Sequence, residues 1–199
     1  MGQDIHKKQY SITEGYRLVV DGIRTIKTFI NTKRTGLLSD HFIERIMLAV
    51  TEVNGCEICS YGHTKIALEM GMSEDEIHQI LTGQMDDFPA EESKAIFFAQ
   101  HYADMKGKPA ERSWHEIVSH YGEEKALAIL SSIRIIMIGN SYGIAFGSLK
   151  NRIQGKKVES SSFGYELVMI LSLFFAIPFG AAQALIESLI KRPLLTYSV

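Results

Sequence analysis

The chain is short of cysteine: its 199 residues include only Cys56 and Cys59, three positions apart. A secreted disulfide scaffold needs several cysteines spread along the chain to close its loops, so that class is excluded. Proline is scarce as well, with four in all, and long segments have none. That favours helices over a turn-rich β architecture. Neither sign of charge is in excess; the formal net charge is -2, which leaves no basic footprint for nucleic acid. The stretch Met1 to Tyr10 is polar and charged and has no apolar core of an export signal behind it. His6 stands where a myristoylation pattern requires Ser or Thr. These features lead us to expect a cytoplasmic protein. A vicinal cysteine pair in that setting reads as redox chemistry or metal binding.

What is present is helical periodicity nearly throughout. Tyr16 to Ile30 carries Leu18, Val19, Ile23, Ile26 and Ile30 as one stripe. Ser39 or Asp40 can cap a second helix, with Ile43, Ile46, Met47, Val50 and Val53 on its inner side. Asn54-Gly55 is a stop signal, and a third helix is expected from about Cys56 to Met70. Ser73 and Glu76 form a capping box for a short helix through Leu81, closed by Gly83. Pro89 opens the next, which carries Ile96, Phe97, Ala99 and Tyr102 until Gly107 and Pro109 break it. Arg112 to Tyr121 is expected as a short helix and Glu123 to Ile153 as a long one. Gly139, Gly143 and Gly147 share one face of that helix, a pattern better explained by close helix packing than by a ligand cradle. No strand is expected.

Gly155 to Ser162 is a polar linker. Beyond it, Leu167 to Ile186 is twenty residues without a charge, long enough to cross a bilayer. Pro178 sits mid-way, and Lys156-Lys157 and Lys191-Arg192 flank both sides, so charge gives no orientation. Two readings stay open for residues 164–191: membrane attachment, slightly favoured by the Leu, Ile and Phe content, and burial in an oligomer interface. The expected organisation is a helical domain over 1–155 and an appendage over 156–199.

The chemistry concentrates on Cys56, Cys59 and His63, whose spacing of three and four puts them on one helical face. Two thiols so placed can form a disulfide, and an imidazole one turn on can exchange a proton. A helix N-terminus also favours the thiolate. If the flanking helices form an antiparallel hairpin about Asn54-Gly55, Glu44 lies about ten residues before the turn and His63 about eight after it. Their heights then differ by only ~3 Å. A carboxylate among Ile43, Ile46, Met47 and Leu48, facing an imidazole, is suited to proton transfer.

The run Glu44-Arg45-Ile46-Met47-Leu48-Ala49-Val50-Thr51-Glu52-Val53-Asn54-Gly55-Cys56-Glu57-Ile58-Cys59, closing at His63, resembles the carboxymuconolactone decarboxylase superfamily, and within it the alkylhydroperoxidase D-like branch. The decarboxylases generally lack the cysteine pair. The likeness covers about residues 10–155; Ile136 to Tyr142 resembles the last core helix less specifically. It implies an all-α, alkylhydroperoxidase D-like helical bundle, here with an added C-terminal hydrophobic helix, assembling as trimers or higher homo-oligomers. It implies Cys59 as the peroxidatic thiol, Cys56 as the resolving thiol, a redox-active Cys56–Cys59 disulfide, and Glu44 with His63 as proton relay. A hydroperoxide would be the substrate, and an external dithiol of lipoyl type the reductant. No bound cofactor is required. One departure stands out: the best-studied type has a second His between its cysteines, where this chain has Ile58. The relay is then at least one group short, which bears on peroxide rate and substrate and leaves dithiol chemistry intact.

Other readings compete. Cys56, Cys59, His63 and Glu44 are four legitimate zinc ligands, although structural zinc sites usually draw on two separated knuckles. The dithiol could instead serve as a redox switch without turnover, or be two inert core cysteines. His41, His78, His101, His115 and His120 read as solvated. Trp114 reads as satellite core, and Tyr61 could line a pocket or pack on the preceding helix.

Overall fold

The structure, a computed structural model, describes residues 7–82 and 89–198. Within them lie seven helices and no strand, as the periodicity leads one to expect. The opening residues used above to argue against export and myristoylation, up to His6, lie outside the described residues, as does Gly83. The first helix, α1 (Ile12–Thr35), begins four residues before the apolar stripe does. Ser11 and Glu14 set this start through a reciprocal capping box: the Glu14 N–H donates to Ser11 Oγ, and Glu14 Oε2 accepts from the Ser11 N–H at 2.6 Å. Gly36, with φ 67, closes the helix. For α2 (Asp40–Asn54) the cap is Ser39, whose Oγ accepts from Phe42 N–H at 3.1 Å.

The elements α3 (Glu57–Glu69) and α4 (Glu74–Thr82) follow. Only half of the expected box at Ser73 forms. Ser73 Oγ accepts from the Glu76 N–H, while the Glu76 carboxylate is drawn to Arg45 Nε at 2.6 Å. Along α5 (Ala90–Asp104), Ile96, Ala99 and Tyr102 are buried as expected, but Phe97 is 55% exposed and Phe98 takes its place on the inner face. The two helices expected over 112–153 are both present and follow one another within α6 (Glu111–Ile153), meeting at a kink at Gly122, whose φ of 77 and ψ of 161 are not helical. No side chain of its own caps α6 at Ala110. The orphan Ala110 N–H donates instead to His101 Nε2 at 3.0 Å, so His101 is structural rather than solvated. His41 is exposed as expected, although its Nε2 also lies 2.9 Å from the Met70 carbonyl.

Helix α6 is the central mast: α1, α2, α3, α5 and α7 (Phe163–Leu189) all pack against it. Ala126, Ile129, Leu130, Ile133, Met137 and Ala145 are fully buried along it, each large apolar side chain worth about 1.5–3 kcal/mol. Trp114 packs beside Phe98, with ring centroids 5.9 Å apart, as satellite core. Helix α7 runs unbroken through Pro178 and covers α1 and α6.

Candidate functional site

The turn between α2 and α3 is built by Asn54 and Gly55. Gly55 takes the left-handed conformation (φ 68, ψ 35) that ends α2. Asn54 does more than stop the helix, for it is completely buried and tied to the segment ahead of α1. Tyr10 Oη donates to Asn54 Oδ1 at 2.6 Å, and the Lys8 N–H donates to the Asn54 carbonyl at 3.0 Å. Its Nδ2 lies 3.3 Å from Met137 Sδ on α6. Burial raises the pKa of the Tyr10 phenol well above its ordinary value, which keeps it a hydrogen-bond donor. The chain therefore reverses at a fixed point against α6.

Cys56 then occupies the N-cap of α3. Its Sγ accepts from the Cys59 N–H at 3.4 Å, the place normally taken by a Ser or Asp oxygen. Cys56 and Cys59 form a disulfide, with Cα atoms 5.3 Å apart. The two sulfurs differ in access: Cys56 is buried at 1% exposure and Cys59 is half-buried. Ion pairing between Lys7 and Glu57, 3.0 Å apart, fastens the first turn of α3.

The hairpin also brings Glu44 and His63 together. Glu44 is buried at 4% exposure, and its Oε1 lies 2.5 Å from His63 Nδ1. With Glu44 as carboxylate, Nδ1–H is the donor, which leaves Nε2 as the nitrogen free to exchange a proton. His63 follows Cys59 by one helical turn on α3, which puts the imidazole that meets Glu44 and the disulfide on the same short helix.

Two glycines complete the site, and their target was not readable in the sequence. A β-carbon at Gly143 would stand 2.8 Å from both Cys56 Sγ and Cys59 Sγ, and one at Gly147 would stand 3.2 Å from Ile58 Cδ1. The four-residue spacing thus serves close packing, and what it packs against is the disulfide turn. Gly139, the third member, is exposed and meets only Ile136 Cδ1 at 3.8 Å. Ile58 lies against α6. Tyr61 is 76% exposed, so it does not pack on the preceding helix. As for zinc, the sulfurs are joined to each other, and no group of three or more His, Cys, Asp or Glu side chains among the described residues could hold a metal ion.

No solved structure matches. An uncharacterized protein of Bacillus subtilis strain 168, YdfG, is 24% identical over 135 residues, which are 67% of this chain and 92% of that protein. Residues 24–100, from within α1 to within α5, match the model of the carboxymuconolactone decarboxylase family, and that stretch holds Glu44, Cys56, Cys59 and His63.

Proposed function

We propose that the chain is a thiol-dependent oxidoreductase of the alkylhydroperoxidase D-like kind, reducing hydroperoxides through Cys56 and Cys59. The observation that carries this reading is the 2.5 Å contact of His63 with the buried Glu44, one helical turn from a disulfide at a helix N-terminus. In the reduced protein Cys59, the more accessible sulfur, is the attacking thiolate. It bonds to the terminal oxygen of the hydroperoxide as the O–O bond breaks. The departing alkoxide takes a proton from His63 and leaves as alcohol, with Glu44 stabilising the imidazolium. Cys56 then attacks the sulfenic sulfur; the S–S bond forms, the S–O bond breaks, and hydroxide leaves as water after taking a proton. An external dithiol of lipoyl type supplies two electrons and two protons to restore both thiols.

Ile58 bears on rate. Its side chain fills the space beside Gly147, so the position offers no second imidazole to the relay. Dithiol exchange needs only the cysteines, whereas peroxide cleavage also needs proton delivery. The test is turnover of cumene hydroperoxide with dihydrolipoamide. Cys59→Ser should abolish it, and Glu44→Gln should slow it by about 10²-fold. Unchanged rates in both variants would refute the mechanism. Oxidation that stops after one equivalent in the presence of the reductant would indicate a switch instead of an enzyme.

A further inference from the structure

The outer face of α7 is apolar along its whole length and nothing among the described residues covers it. Phe174 is 73% exposed, Phe175 65%, Phe179 63%, Leu185 62% and Leu189 73%. Contiguous exposed apolar surface of this kind marks an interaction site. The inner face is committed to the protein: Met169, Ala176 and Ala184 are buried, and Gly180 lies against Val19 and Val20. Both ends are pinned by carboxylates. Glu166, with no exposure, meets Arg152 at 2.9 Å, and Glu187 meets Arg17 at 2.6 Å and Arg24 at 3.1 Å. A helix so held cannot cross a bilayer on its own, because either the ion pairs would break or the charges would enter hydrocarbon.

Charge says what fits the free face. Lys156 stands exposed at its start and Lys191 at its end, Lys157 being paired with the exposed Glu159, whereas the two glutamates of α7 are turned inward and neutralised. A second copy of the chain would bring cations against cations in either orientation, parallel or antiparallel, which penalises self-docking. An anionic surface has no such conflict. A groove of about 480 Å³ opens between α1 and α7, lined mostly by apolar surface from Ile12, Tyr16, Phe175 and Phe179 among others. We infer that α7 docks the protein on an anionic lipid bilayer, lying in the interface with its apolar face down and its cationic ends at the headgroups. The disulfide turn packs on another side of α6, so docking leaves it free.

The experiment is co-sedimentation of the full chain with vesicles of phosphatidylcholine alone and with added phosphatidylglycerol. Binding should be at least tenfold tighter to the anionic vesicles and should weaken with salt. Phe174→Ser with Phe175→Ser should weaken it by at least a further tenfold while far-UV circular dichroism stays unchanged, since both rings are exposed. Three results would overturn the inference. One is no binding to anionic vesicles. Another is resistance of bound protein to alkaline carbonate, the mark of a spanning helix. The third is a change from oligomer to monomer on substituting the phenylalanines, which would assign the face to a second copy.

Discussion

At position 143 there is no room for a β-carbon, and the obstruction is the disulfide itself. Both sulfurs would lie 2.8 Å from the added atom, and both are fixed, one as the N-cap of α3 and the other in its first turn. Gly143→Ala should therefore push α3 away from α6. We expect a loss of about 1–3 kcal/mol in urea unfolding, together with slowed turnover. Gly139→Ala is the matched control: its β-carbon would make only an ordinary contact with Ile136, so added helix propensity should leave stability unchanged or raise it by up to about 1 kcal/mol. Asn54→Ala should cost about 1–3 kcal/mol by the same measurement, because Tyr10 Oη would lose its buried partner. Residue by residue, what was legible depended on distance along the chain. Glu44 and His63 could be matched by counting across one short hairpin, because helical rise and turn position are local quantities. Gly143 could be recognised as a packing residue, but its target lies on a distant helix and no local pattern encodes that contact. Asn54 was visible as a helix stop, yet its tie to Tyr10 depends on how the N-terminal segment crosses the turn.

Among the elements, α7 differs most between its sequence and its setting. The sequence displays a charge-free run of twenty residues; the helix is longer, Phe163–Leu189, and takes in a glutamate near each end. Those glutamates face inward because Arg152 on α6 and Arg17 and Arg24 on α1 are waiting for them, partners that hydropathy cannot reveal. Other shifts are smaller and had local signals. The Ser11–Glu14 box lies just upstream of the apolar stripe of α1, and on α5 Phe98 rather than Phe97 joins Ile96, Ala99 and Tyr102 inside, since the two phenylalanines are equally apolar. The glutamates of α7 give a pH prediction. Hydrogen bonds from Arg17 hold the Glu187 carboxyl at about 2, and those from Arg152 lower that of Glu166. A carboxyl lowered on folding stabilises the native state above its ordinary range, and that contribution is lost as pH falls toward the folded value. The urea midpoint should therefore fall as pH drops from about 5 toward about 2. Glu187→Gln should be less stable at neutral pH and show a flatter acid limb. An identical pH profile for the variant would remove Glu187 from the account.

For the molecule as a whole, the question is whether residues 1–155 stand as a domain and 156–199 as an attachment. The family-like region, 24–100, lies entirely within the first part, which favours a self-sufficient bundle. The packing argues otherwise. Helix α1 is sandwiched between α6 and α7, and Val19, Val20 and Asp21 are nearly inaccessible with α7 in place. The tail beyond α7 adds polar ties: Arg134, fully buried on α6, donates to the Leu194 carbonyl, and Arg24 donates to the Arg192 and Pro193 carbonyls. Removing α7 and the tail would expose several large apolar side chains at about 1.5–3 kcal/mol each. It would also leave Arg17 and Arg24 without Glu187, with only the Arg17–Asp21 pair of α1 remaining. That loss is comparable to the whole stability of a typical domain, about 5–15 kcal/mol. A chain ended at Gly155 should accordingly lose its cooperative thermal transition, while α2 and α3, which do not rest on α7, keep part of their helicity. Calorimetry of the shortened chain checks this directly. A sharp transition at the full-length temperature would mean that α7 is an attachment after all, and that the ion pairs at its ends position it without holding the bundle together.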